Sequence, residues 1–82
     1  MDMYFVYILK SKNHPRIYIG STQDVEKRIQ RHNGGNVRST KAYRPYELLE
    51  THSYSTRGEA MQAEQHFKTG QQREAVKRRH GL

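Results

Sequence analysis

The chain contains no cysteine. Neither a disulfide framework nor a thiolate-bound zinc can therefore hold it together, although small domains often rely on one of these in place of a large core. Proline is scarce, with Pro15 and Pro45 alone, and no Pro-rich or low-complexity linker divides the sequence. Long apolar runs are missing as well. None exceeds the seven residues from Met3 to Leu9, against the roughly 20 that a membrane-spanning helix requires. The start, Met1-Asp2-Met3, lacks the basic segment of a signal peptide. These absences lead to the expectation of a soluble, cytoplasmic protein with no membrane partner. Eighty-two residues, 33% of them hydrophobic, allow one domain spanning 1–82 with few apolar positions to spare from packing. A monomer is expected.

Acidic side chains are few where basic ones gather. Residues 10 to 44 hold nine Lys and Arg (Lys10, Lys12, Arg16, Lys27, Arg28, Arg31, Arg38, Lys41 and Arg44) against Asp24 and Glu26. That segment carries the whole net charge of +7, and the remainder balances. A concentrated positive field favours a polyanion, because each neutralised phosphate releases condensed counterions. The plain alternative is a solvated basic face that serves only solubility. A membrane-surface helix is disfavoured, since no stretch joins a wide apolar face to a basic one.

Tyr4 to Leu9 is apolar on both alternating faces and reads as a central strand covered on two sides. Ile17 to Gly20 reads as a second strand, joined to the first by the polar, Pro-containing segment 10–16 in a long-looped antiparallel hairpin. Ser21, Thr22 and Asp24 offer caps for a helix running to about His32, stopped by Asn33-Gly34-Gly35. Pro45 opens a third strand, Tyr46 to about Tyr54, with Leu48 and Leu49 at its centre. Thr56 and Glu59 make a capping box for a second helix ending near Gly70, and Gln72 to His80 makes a third, closed by Gly81. The expected fold is α+β: a small three-stranded antiparallel sheet flanked by helices, in the order β-β-α-β-α-α, with consecutive strands paired.

Five side chains are more polar than their places in this pattern require. Val25, Arg28, Ile29 and His32 share one helix face, so Arg28 and His32 are directed at the sheet while Lys27 and Arg31 face solvent. Ala60, Ala63, Glu64 and Phe67 repeat that spacing, which sets a carboxylate inside an apolar stripe, costly unless a cation meets it. Tyr7 and Tyr18 lie on adjacent strands, in a register that the intervening loop leaves open. Each has a structural alternative: core tyrosines with hydroxyls at the surface, an Arg28–Glu64 ion pair, a histidine cation at a helix C-terminus. The remaining histidines, His14, His52, His66 and His80, show no metal-site spacing.

The triplets Phe5-Val6-Tyr7 and Tyr18-Ile19-Gly20, followed by Arg28 and His32 on one helix and Glu64 on a later one, resemble the GIY-YIG nuclease domain. The similarity covers almost the whole length and is greatest to small stand-alone bacterial members. The second triplet is intact, whereas the first keeps only its tyrosine. No Asn follows Asn36, where many members carry one after the glutamate. The resemblance implies a metal-dependent endonuclease that hydrolyses phosphodiester bonds in nucleic acid, expected to be DNA, in settings such as DNA repair. It implies Mg²⁺ or Mn²⁺ on Glu64, Tyr7 as general base acting directly or through His32, Arg28 neutralising charge on the phosphorane, and Tyr18 holding the water or the phosphate. Lys12, Arg38, Lys41, Arg44 and Lys68 are the expected nucleic-acid contacts. A binding module of the same fold with little or no turnover is the alternative, and an interaction domain with merely solubilising charge is a third.

Overall fold

Four consecutive residues of the first strand, Val6 to Leu9, are fully buried, so both faces of that strand need cover. The computed structural model, which describes residues 3–82, supplies it by making the strand central. The elements are β1 (Tyr4–Ser11), β2 (Ile17–Thr22), α1 (Val25–Asn33), β3 (Tyr46–Tyr54), α2 (Arg57–Phe67) and α3 (Gly70–Arg79), with a short 3-10 turn over Lys41–Tyr43. The sheet order is β2-β1-β3, and both pairings are antiparallel. This is the α+β arrangement and element order the sequence led us to expect. The expectation that consecutive strands pair holds for β1 and β2 but not for β2 and β3. After α1 the chain lays β3 along the free side of β1, because the strand that is apolar on both faces is the one that gains most from two neighbours.

The register settles what the hairpin loop left open. Tyr7 stands opposite Gly20 and Leu9 opposite Tyr18, so Tyr7, Leu9 and Tyr18 share one face, where they pack with Tyr46, Tyr43 and the Val25 and Ile29 of α1. Val6, Ile8, Ile17 and Ile19 occupy the other face beneath α2 and α3, with Val76, Ala63 and Phe67 against them. A bulge in β3 sets Glu50 opposite Ile8 and Leu48 opposite Leu9, leaving Leu49 as the extra residue. Leu49 packs into the second core, whereas Leu48 stands 45% exposed.

Local chemistry explains where the helices begin and end. The Asp24 carboxylate accepts the Lys27 amide at 3.0 Å to start α1, and Gly35 takes φ +80° just beyond its end, a conformation that favours glycine. The reciprocal Thr56–Glu59 capping box starts α2 as expected. Gly70 does not close that helix. It ends at Phe67, Thr69 caps the next one through the Gln72 amide, and Gly70 is the first residue of α3, which ends at Arg79. Asn33, read in the sequence as part of a helix stop, has a second task. Its side-chain amide pairs with both backbone groups of Tyr46, at 2.7 and 3.2 Å, and ties the end of α1 to the start of β3. Among the described residues no helix is long and apolar enough to cross a membrane.

Candidate active site

The end of β2, the start of β1 and the first turns of α1 and α2 surround a cleft of about 430 Å³, lined by Tyr4, Ser21, Asp24, Arg28, Arg57 and Glu64 among others. Arg28 reaches it from the helix on one face of the sheet and Glu64 from the helix on the other. Their meeting is a product of the tertiary fold. No ion pair joins them. Glu64 accepts the Ser21 hydroxyl at 2.6 Å and pairs with Lys68, one turn further along α2, at 2.7 Å. Burial pushes the Glu64 carboxyl up, but the hydrogen bonds from Lys68 and Ser21 outweigh that and hold it below the ordinary carboxylate value. Among the described residues Arg28 has no carboxylate partner. Its guanidinium is therefore a half-buried cation with no ion-pair partner, in a cleft that also holds the carboxylates of Asp24 and Glu64.

Behind Arg28 the tyrosines and the histidine form one buried group. The Tyr7 hydroxyl is hydrogen-bonded to His32 Nε2 at 3.0 Å, and His32 Nδ1 to the Thr40 hydroxyl at 2.8 Å. The Tyr18 ring lies 4.8 Å from the His32 ring and 6.1 Å from that of Tyr7, centroid to centroid. Tyr7 and His32 are fully buried, while Tyr18, Arg28 and Glu64 keep partial exposure. Burial and the neighbouring Tyr18 push the Tyr7 phenol up to about 12, against which Arg28 pulls in the opposite direction. Burial, then Arg28 and Arg31, lower His32 from the usual 6.5. Both groups are accordingly neutral near pH 7. The tightness of this packing explains the glycine of the second triplet. A Cβ on Gly20 would meet the Tyr7 hydroxyl oxygen at 2.5 Å, so the tyrosine ring lies over a residue that must have no side chain.

The five residues singled out in the sequence, Tyr7, Tyr18, Arg28, His32 and Glu64, thus gather around Tyr7 in the middle of β1, with only Arg28 and Glu64 lining the cleft. The expected nucleic-acid contacts do not all join them. Lys12, Arg38, Lys41 and Arg44 are exposed on two loops that meet at the end of the strands opposite the Arg28–Glu64 cleft, where the Lys12 amide donates to the Pro45 carbonyl at 2.9 Å, and Arg38 and Lys41 flank Thr40, the hydrogen-bond partner of His32. Arg16 stacks over Tyr43 there at 4.2 Å, and Arg44 donates to the Lys41 carbonyl. Lys68 stands apart from them, neutralising Glu64. Ser21, Thr40 and Arg57 were missed. Ser21 directly follows the second triplet but reads as a helix cap, and neither Thr40 nor Arg57 carries any sequence signal of its contacts.

The donors at Glu64 are oxygens, of the kind a hard cation such as magnesium or manganese takes, once Lys68 leaves the Glu64 carboxylate. Among the described residues no three His, Asp or Glu side chains gather into a cage. One carboxylate beside a hydroxyl in a polar cleft suits a hard cation that keeps most of its waters, and does not suit zinc or copper.

The antiparallel sheet, its helices and the two tyrosine-bearing strands have the arrangement of a GIY-YIG domain. The chain belongs to that family: the GIY-YIG catalytic domain matches residues 3–78. The family is nuclease-type, and its members bind nucleic acid. Among similar proteins are the UPF0213 protein YazA of Bacillus subtilis, 46% identical over 66 residues, which are 79% of this chain and 66% of that protein. The UPF0213 protein SERP0126 of Staphylococcus epidermidis is 38% identical over 78 residues, 94% of each chain. The solution structure of the UPF0213 protein BH0048 of Bacillus halodurans has the same fold, with a TM-score of 0.55 at 31% identity, over 90% of this chain and 81% of that one.

Proposed function

We propose that the protein is a metal-dependent endonuclease that hydrolyses phosphodiester bonds in nucleic acid, with DNA as the expected substrate. The observation that carries this is the cleft itself: a guanidinium with no ion-pair partner and a lowered carboxylate meet there from opposite faces of the sheet, in front of a neutral phenol hydrogen-bonded to a neutral imidazole. Glu64, with Ser21 beside it, would hold Mg²⁺ or Mn²⁺ once Lys68 has swung away, and the bound ion would polarise the phosphoryl group as a Lewis acid.

Arg28 binds the scissile phosphate and offsets the charge that builds on its oxygens. A phenol held near 12 is no free base at neutral pH. It acts by relay: the water oxygen bonds to phosphorus as the bridging P–O bond breaks, a water proton passes to the Tyr7 oxygen, and the proton of Tyr7 passes to His32 Nε2. The leaving oxygen takes its proton from solvent. Tyr18, half-exposed beside both groups, orients the water. The exposed loops bearing Lys12, Arg38, Lys41 and Arg44 hold flanking backbone.

A second reading, a nucleic-acid binding module with little turnover, is favoured by the burial of Tyr7 and His32 and by the Lys68 ion pair on Glu64. A cleavage assay on linear, nicked, flapped and branched substrates, with Mg²⁺ and with Mn²⁺, decides between them. Metal-dependent incision of any of these supports the hydrolase. Salt-sensitive binding without incision supports the module.

A further inference from the structure

We propose that Thr40 is a positioning residue which fixes the tautomer of His32, keeping Nε2 unprotonated to receive the proton of Tyr7. The role assigned to that proton rests on the hydrolase reading above; the orientation of the hydrogen bonds does not.

Thr40 lies in the loop between α1 and β3, only 1% exposed, and nothing in the sequence marks it. Its hydroxyl oxygen is 2.8 Å from His32 Nδ1 and 3.3 Å from the Val37 carbonyl oxygen. A hydroxyl has one proton to give. The Val37 carbonyl can only accept, so the geometry has Thr40 donating to Val37 and receiving from Nδ1–H. The opposite assignment, with Thr40 donating to Nδ1, leaves the Val37 carbonyl with the Thr40 amide alone, at 3.1 Å, and sets the hydroxyl oxygen 3.3 Å from it with no proton between them. With the proton on Nδ1, Nε2 holds a lone pair, and the Tyr7 hydroxyl 3.0 Å away donates to it. The chain then runs in one direction, Tyr7 to His32 to Thr40 to Val37. Tyr7, His32 and Thr40 are all buried, which leaves no bulk water to substitute for a missing partner.

The direction matters because the Nδ1–H form is the one a free imidazole disfavours. Which ring nitrogen carries the proton is set by the bond the other one makes. If the proton sat on Nε2, the ring would donate to the Tyr7 oxygen and could not accept from it, and a general base in the wrong tautomer fails even where its position is unchanged. Burial and the nearby Arg28 and Arg31 disfavour the doubly protonated ring, so the choice lies between the two neutral forms.

The experiment is long-range proton–nitrogen correlation on protein labelled with ¹⁵N in histidine, near neutral pH, on the wild type and on Thr40→Val and Thr40→Ser. Cleavage kinetics are measured on the same samples. The wild type and the serine variant are expected to show His32 protonated at Nδ1. The valine variant, nearly identical in shape but without a hydroxyl, is expected to shift the proton to Nε2 and to lose roughly a hundredfold in kcat with little change in KM, the scale of a disabled general base. Serine should stay within about threefold of the wild type, since it keeps the hydroxyl. A wild-type spectrum with the proton on Nε2 overturns the proposal without any variant needing to fold. So does a valine variant that keeps both the Nδ1–H signal and the turnover. A wild type that shows Nδ1–H yet cleaves nothing would strike the hydrolase reading instead, while the spectrum still supports the orientation imposed by Thr40.

Discussion

His32 can accept a proton only while its ring is uncharged, and its pKa is lowered from 6.5 by burial, Arg28 and Arg31. The acid limb of the cleavage rate should therefore lie below pH 6.5, the rate falling as protonation removes the acceptor. A limb at or above 6.5 in the kcat profile would show that another group is the base. Gly20 bears on the same pair. Gly20→Ala drives a methyl into the Tyr7 hydroxyl and ring, and the tyrosine is fully buried. We expect a loss of about 1–3 kcal/mol in a denaturant titration, and a fall in turnover greater than the loss of folded protein explains, because the phenol must leave His32. Unchanged stability would mean that the ring is free to retreat. Glu64 gives the contrasting case. Its partners are Ser21 and the exposed end of Lys68, so Glu64→Gln strands no buried cation and should alter stability by no more than about 1 kcal/mol. The same change should lower metal-dependent cleavage about a hundredfold or more. A collapse of the melting temperature with cleavage surviving would make Glu64 a structural residue.

At the scale of elements, the sheet and its helices are joined by few polar clamps, and the one on the bulged strand involves no candidate catalytic group. Glu50 of β3 accepts from Arg79 Nη2 and Nε at 3.0 and 3.1 Å, from His80 at 2.6 Å and from His52 at 2.8 Å, which pins the end of α3 to the edge strand. Burial raises the Glu50 carboxyl, but the hydrogen bonds from Arg79, His52 and His80 outweigh it and bring the group to about 2 from 4.5. A carboxyl whose folded value lies below its unfolded one stabilises the fold above the unfolded value and loses that contribution as pH falls toward the folded one. Glu50→Gln should accordingly lower the melting temperature at neutral pH by several degrees, on the order of 4–8 °C for each kcal/mol lost in a domain of this size. The gap from the wild type should close between pH 4.5 and 2. A gap that persists below pH 2 would trace the loss to packing and not to charge. The bulge is what turns Glu50 toward α3. One residue of regular pairing more or less would exchange its place with a leucine.

For the molecule as a whole, the excess of positive charge lies in residues 10–44, with Lys27, Arg28 and Arg31 on α1 and the other six cations on or beside the two loops opposite the cleft. If about six of these groups meet phosphates, affinity for nucleic acid should fall roughly a thousandfold between 50 and 200 mM salt. Charge reversal at Lys12, Arg38 and Lys41 should weaken binding alike on all sequences, since backbone contacts carry no base information. Fluorescence anisotropy across a salt series tests both, and an affinity indifferent to salt would remove nucleic acid as the partner. The separation of basic loops and cleft also bears on substrate shape, since a strand bound at both has to run along the sheet past Tyr18.

What the sequence determined alone is what depends on periodicity and local chemistry. The apolar stretch Tyr4–Leu9 required a central strand, the capping box at Thr56 and Glu59 set the start of α2, and the spacing of Arg28, His32 and Glu64 aimed each of them inward. Helix ends were less legible, because Gly70 can close one helix or open the next and only packing chooses between them. The tertiary structure alone decided which strands pair, that Tyr7 and Tyr18 share a face, and that Glu64 answers to Ser21 and Lys68 instead of Arg28. It also decided that a loop threonine would reach the histidine. These are contacts between residues far apart in the chain. No local preference encodes them, because each depends on how strand register and helix placement are settled together when the small core closes.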